Sequence, residues 1–180
     1  MVYVFLADGF EESEAVVPTD ILRRAGAKAV TVGVTGETVV SSHKFRIKAD
    51  ITKDKVILDD TLDMIVLPGG MPGTLNLEAD ETVQKTIDHC IKNNKYVCAI
   101  CAAPSILGHK GLLKGKKATC FPGFEKDLTG AQPVDALAVT DGKIITGKGP
   151  GAAFDFGAAL VTALYGKEKA DTVLSQMQCR

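Results

Sequence analysis

In the stretch YVCAICAAPSILG, residues 96–108, strand-forming residues run into Cys101, and two alanines and a helical pattern follow at once. A thiol between a strand and a helix is exposed by the tight turn. The helix start adds backbone N–H groups and a positive dipole end, which favour a thiolate. This is the cysteine counterpart of the nucleophile elbow of serine hydrolases. Ala102 and Ala103 give the clearance such a turn needs, and the amides of Gly70 and Ala102 could hold an oxyanion. Cys101 is therefore read as a nucleophile, ionised at neutral pH. One competing reading is a buried, inert thiol. The other is a Cys98-x-x-Cys101 redox pair. Redox pairs of that spacing sit together at a helix start, whereas Cys98 falls inside a strand, where alternating Cβ directions send residues 98 and 101 to opposite sides unless the turn intervenes.

The partner that activates the thiol is less plain. His109 lies about two helical turns past Cys101, out of reach. His89 falls on an amphipathic helix, as a surface residue would. His43 could reach the site only by folding over it or across a dimer. The acidic cluster Glu11, Glu12 and Glu14 remains. Carboxylates favour a helix N-terminus and stay solvated there, but one member turned inward would hold its proton at a raised pKa and serve as acid and base. Composition alone does not choose which glutamate.

The elements that must position these groups alternate strand and helix. VYVFLA, AVTVGV, DMIVLPGG and KYVCAI read as strands, the continuous apolar runs among them as strands buried on both faces. EESEAVVPTDILRRAGA reads as a helix stopped by Gly26, with Pro18 kinking it or thinning its first turns. ETVVSSHKFRIKAD looks like a hairpin-like excursion, and ADETVQKTIDHCIKNN is an amphipathic helix. Asp141-Gly142 between two alternating runs signals a hairpin, and GAAFDFGAALVTALYG and KEKADTVLSQMQCR read as two helices. This order predicts an α/β fold, a mostly parallel sheet with helices on both faces, over a single domain of residues 1–180. The site then lies beyond the carboxyl ends of the strands, where DGFEESE, PGG and Cys101 converge.

Bulk properties narrow the class. With 180 residues and 46% hydrophobic content, the chain suits one domain with a sizeable core. A net charge of −1 gives no overall pull toward nucleic acid or a lipid surface. No apolar run reaches the roughly 20 residues of a membrane span, and the start MVYVFLADGFEESEA lacks a basic n-region. The cytoplasm is the expected location. Five cysteines without a framework spacing read as reduced thiols, and they and the histidines complete no metal pattern. GKGPGA loosely fits a dinucleotide fingerprint, but about 20 residues later the chain is finishing a helix, with no strand to present a ribose-binding acid.

Four motifs at consistent spacing, AICAAP, LPGG, GFEESEAVVPTDILRRAG and GKGPGAAFDFGAALV, resemble the ThiJ/PfpI superfamily, in the branch that holds the DJ-one-like deglycases and the bacterial ThiJ/YajL-like proteins. The resemblance runs through nearly the whole chain. It implies a flavodoxin-like three-layer sandwich and a homodimer. It places the reactive cysteine on Cys101, the protonated glutamate on Glu14, and the oxyanion amides on Gly70 and Ala102, with Gly69 beside them. The Gly149-Pro150-Gly151 loop would line the pocket or approach the partner's. Three departures stand out: Phe121 replaces a histidine of the animal proteins, His43 replaces an arginine, and Ala102 replaces the histidine of the protease branch, which argues against peptidase activity. Phe121 and His43 are carried as further site candidates.

The implied function is a cofactor-free, cysteine-dependent enzyme of reactive carbonyls. It would convert methylglyoxal or glyoxal to a 2-hydroxy acid as a glyoxalase III does, or repair early glycation adducts. The alternative is a redox-sensing or chaperone-like oxidative-stress protein whose Cys101 is oxidised to a sulfinic acid beside Glu14.

Overall fold

The structure, a computed structural model, describes residues 1–179. Strand β1 (Val2–Leu6) leads into helix α1 (Glu12–Arg24), then β2 (Ala29–Gly33). An excursion follows: β3 (Thr38–Val40) pairs antiparallel with β4 (Arg46–Lys48), as the sequence predicts, and β5 (Ile51–Thr52) returns to the sheet. Next come β6 (Met64–Leu67), α2 (Gly73–Ala79), α3 (Glu81–Lys92), β7 (Tyr96–Ile100) and α4 (Pro104–His109). The two-residue strands β8 (Lys117–Ala118) and β9 (Gln132–Pro133) pair with each other. The hairpin of β10 (Ala138–Asp141) and β11 (Ile144–Gly147) precedes α5 (Ala153–Tyr165) and α6 (Lys167–Gln176).

Seven strands form the main sheet in the order β10-β11-β7-β6-β1-β2-β5, all parallel except edge strand β10. From β1 the chain steps to β2 on one side and then to β6 on the other. The crevice past β1 and β6 is therefore the switch point where such sheets bind ligands. Alternate strand residues feed two cores. Phe5, Leu67 and Ala99 pack with Val83, Ile87 and Ile106 on one face. Leu6, Val66 and Ile100 pack with Ile21, Leu22, Phe156 and Leu160 on the other. This is the expected three-layer α/β sandwich.

Helix α1 continues through Pro18, which packs against α5 where Gly157 lacks a side chain: a Cβ there would stand 3.4 Å from the Pro18 Cα and 2.6 Å from Ile21 Cδ1. The sequence pattern predicts no helix at Gly73–Ala79, where the structure has one. Seven residues opening on Met71-Pro72-Gly73 are too few to show a helical period, and here packing sets the conformation.

Candidate active site

The site is built from three loops at the carboxyl ends of β1, β6 and β7. Cys101 directly follows β7 and takes φ of 66°, the left-handed region that a cysteine enters only under constraint. Its own amide donates to Gly147 O at 2.9 Å, and its carbonyl accepts from Phe121 N at 2.8 Å. Those two bonds, from neighbouring loops, pin the elbow on both sides.

Glu14 is on the buried stripe of α1 with Pro18, Ile21 and Leu22, and is completely enclosed. Extending that stripe back one turn from Pro18 selects Glu14 over Glu11 and Glu12, a signal present in the sequence. Its Oε2 accepts from the Gly69 amide at 2.9 Å, and Oε1 is buried without a hydrogen-bond partner among the described residues. Burial pushes the Glu14 carboxyl up to about 7, aided by the charge of Glu11 and opposed by hydrogen bonds from Cys101 and Gly69.

Gly69 is the junction between acid and thiol. A Cβ there would stand 2.7 Å from Cys101 Cβ and 2.8 Å from Glu14 Oε2. Gly70 has φ of 86°, and a Cβ on it would strike Glu11 N at 2.4 Å, so this turn also requires glycine. The amides of Gly70 and Ala102 are the groups that lower the pKa of the Cys101 sulfur. Gly69→Ala is expected to lower the unfolding free energy by about 1–3 kcal/mol, as overpacking does. Gly151→Ala, with no atom within 4 Å of its added Cβ, should stay within about 0.5 kcal/mol of wild type. Urea denaturation of the two variants checks this; equal stabilities would mean that the junction yields easily.

The expectation of a standing thiolate is corrected. Burial raises the Cys101 pKa above the ordinary thiol value. The charge and hydrogen bond of Glu14 add to the rise, while the Gly70 and Ala102 amides pull the other way. Thiol and carboxyl therefore titrate as a pair. With both groups raised, the pair keeps at least one proton near neutral pH. The arrangement can activate sulfur by passing that proton to the Glu14 carboxylate, with the two amides facing the thiolate.

The turn does intervene at Cys101: with φ positive there, Cys98 and Cys101 border the same core layer. Cys98 is fully buried, its pKa raised by burial, and both thiols are free. Phe121 follows Cys101 through its amide, and its ring lies against Gly149, where a Cβ would approach Phe121 Cδ2 to 3.0 Å. Pro150 is exposed beside it. His43 lies against Glu12 and Glu11 at the start of α1. His109 pairs with Glu78, and His89 approaches Asp59 O on the surface. What the sequence reading missed is the pair of backbone clamps on the elbow, from Gly147 and Phe121.

The DJ-1/PfpI family profile matches residues 1–163. The chain belongs to this family. Among its DJ-1/PfpI relatives, protein DJ-1 homolog B of Arabidopsis thaliana is 38% identical over 93% of this chain, and homolog A is 38% identical over 99%. The chain spans only 39% and 46% of those two proteins' lengths. Protein dj-1beta of Drosophila melanogaster is 35% identical over 94% of this chain and 92% of its own length. A protein of Caenorhabditis elegans named glutathione-independent glyoxalase DJR-1.2 is 31% identical over 93% of this chain and 89% of its own. The crystal structure of a DJ-1 superfamily protein from Salmonella typhimurium, a cysteine-to-alanine mutant, superposes with a TM-score of 0.93 at 36% identity, covering 99% of this chain and 98% of that one.

Proposed function

We propose that the protein converts small reactive 2-oxoaldehydes such as methylglyoxal to 2-hydroxy acids, with Cys101 as nucleophile and Glu14 as proton carrier. The observation that carries this is Glu14: a buried carboxyl raised to about 7, facing Cys101 across the Gly69 junction, with one oxygen left unpartnered among the described residues. The name of the Caenorhabditis elegans relative supports the same class.

In the first step the Glu14 carboxylate takes the thiol proton and sulfur bonds to the aldehyde carbon. The carbonyl electron pair moves to oxygen, which is held by the Gly70 and Ala102 amides and protonated to a hemithioacetal. Having given its proton to that oxygen, the carboxylate then removes the proton from C1; the electron pair forms the C1–C2 double bond and the C2 carbonyl pair moves to oxygen, giving an enediolate. Returning the proton to C2, as the C1 hydroxyl proton passes to the C2 oxygen, converts C1 to a thioester. Water cleaves the thioester, restoring the thiol and releasing the hydroxy acid. The oxidation at C1 balances the reduction at C2, so no outside oxidant or reductant enters. Early glycation adducts, which carry a carbonyl-derived carbon on nitrogen, are the related substrate. The exposed ring of Phe121 gives the rim an apolar face where the animal proteins carry a histidine.

Incubation of purified protein with methylglyoxal, without glutathione, should yield lactate with time. If none forms above the protein-free rate, the proposal fails.

The protein is further proposed to work as a homodimer in the cytoplasm, whose reducing conditions suit free thiols. A groove of about 460 Å³ on the outer face of α1 includes Val16, Phe154, Ile47 and Met177, rimmed by Asp20, Arg23, Lys48 and Asp50. Val16 and Phe154 are 50% and 44% exposed. A patch apolar at its centre and mixed in charge at its edge can complement itself across a two-fold axis. Light scattering should give twice the 19.0 kDa chain mass, and Val16→Glu should reduce it to that of one chain.

A further inference from the structure

The chemistry above needs the Cys101 sulfur to stay at the Gly69 junction, and Cys101 is held there in the left-handed region, at φ of 66°. A residue other than glycine keeps such a φ only where its surroundings over-determine it. One of the two clamps that do so comes from the segment running from β8 to Phe121, which is not a strand of the main sheet. Three alternate amides of this segment are tied toward that sheet. Lys117 N donates to Asp141 Oδ2 at 3.0 Å, Thr119 N to Thr146 Oγ1 at 2.9 Å, and Phe121 N to Cys101 O at 2.8 Å. Between them the Ala118 carbonyl faces the other way and accepts from Val134 N at 2.8 Å, as in an extended chain. The Asp141 bond is exposed, and water can replace it. The middle bond is not: Thr146 is 1% exposed and Thr119 3%, so the Thr119 amide has no solvent to turn to if the hydroxyl is lost.

We propose that Thr146 is a positioning residue for the nucleophile: its hydroxyl fastens the Thr119–Phe121 segment to β11, and the segment in turn holds the Cys101 carbonyl. The next residue of β11 holds the other side of the elbow, since Gly147 O accepts from Cys101 N at 2.9 Å. The last two residues of β11 therefore grip Cys101 twice, once directly and once through the segment. The three bonds close a ring, from Cys101 N to Gly147, from Thr146 Oγ1 to Thr119, and from Phe121 N back to Cys101 O. Removing the hydroxyl opens this ring at a buried point. The segment then slackens, the carbonyl clamp weakens, and nothing on that side opposes relaxation of Cys101 out of its left-handed φ. Sulfur leaves the junction where a Cβ on Gly69 would meet both Cys101 Cβ and Glu14 Oε2. This rests on the reading of Cys101 as the nucleophile.

Amide hydrogen exchange, followed by NMR, reads the fastening directly. In the wild type the Thr119 and Phe121 amides should open as one unit, with matching protection at each low urea concentration. Thr146→Val keeps the branched shape and loses the acceptor. In it the Phe121 amide, which makes no bond to residue 146, should exchange about tenfold or more faster. The Val97 amide, bonded to Lys143 O at the start of β7, should keep its wild-type rate. With methylglyoxal, kcat of Thr146→Val should fall about 10–100-fold while KM stays within about twofold, the scale of a displaced reacting group. Thr146→Ser, which keeps the hydroxyl, should restore most of that loss. Independent opening of Thr119 and Phe121 in the wild type overturns the proposal, and needs no variant to fold. So does full protection of Phe121 in Thr146→Val, equal loss of protection at Val97, or a serine variant that behaves as the valine one does. Wild-type protein that forms no lactate would refute the proposed function, while the exchange rates would still decide whether Thr146 holds the elbow.

Discussion

Cys101→Ala protein should form lactate from methylglyoxal on the order of a thousandfold or more slowly than wild type, the scale of removing a covalent nucleophile. No other thiol can take its place. Cys98 is fully buried, burial pushes Cys90 up to about 12 and Cys120 up to about 11, and Cys179 lies past the end of α6 beside Asp171 and Leu174. None of these is joined to a proton carrier as Cys101 is to Glu14. The variant should fold, because alanine keeps the backbone clamps from Gly147 and Phe121. It also keeps the left-handed strain at φ of 66°, which Cys101→Gly would relieve. The glycine variant should be equally inactive but about 1 kcal/mol more stable than the alanine variant. Lactate progress curves and urea denaturation of the pair separate loss of chemistry from loss of fold. Full activity in either variant would remove Cys101 from the mechanism and leave the oxidisable-thiol reading.

The strain at Cys101 also marks where local sequence patterns stop being informative. Strand-length apolar runs and the Asp141-Gly142 turn are legible because each encodes its own short-range geometry. Cys101 at the end of such a run was legible as an elbow for the same reason. Its ionisation was not, because that depends on Glu14, 87 residues earlier. Nothing local to AICAAP reports that the facing group is an acid that charges in the same pH range. The choice of Glu14 among three glutamates came through family resemblance, although the buried stripe of α1 contains it. The pairing of Cys98 and Cys101 on one core layer was hidden by a single positive φ, which resets strand alternation without any glycine to announce it. Helix α2 was hidden because seven residues behind a proline carry too little periodicity.

Glu14→Gln should lose roughly 10²–10⁴-fold in methylglyoxal turnover, the range for removing a general acid–base, and should also alter how stability depends on pH. A carboxyl with pKa about 7 in the folded protein and 4.5 in the unfolded chain binds its proton more tightly when folded. Below pH 4.5 both states are protonated and its contribution is fully present. Between pH 4.5 and 7 the unfolded chain has released the proton and the folded protein has not, so stability falls as pH rises. Once pH passes the folded value the loss is complete, about 3 kcal/mol by the usual conversion of a pKa difference. Glutamine has no such proton. Urea midpoints of wild type and Glu14→Gln, measured from pH 4 to pH 8, should therefore diverge in favour of glutamine as pH rises, with other ionisable groups cancelling in the difference. A constant difference across that range would mean that Glu14 is ionised throughout. Its basicity would then be too low to take the thiol and C1 protons readily, and the carrier role proposed for it would lose its support.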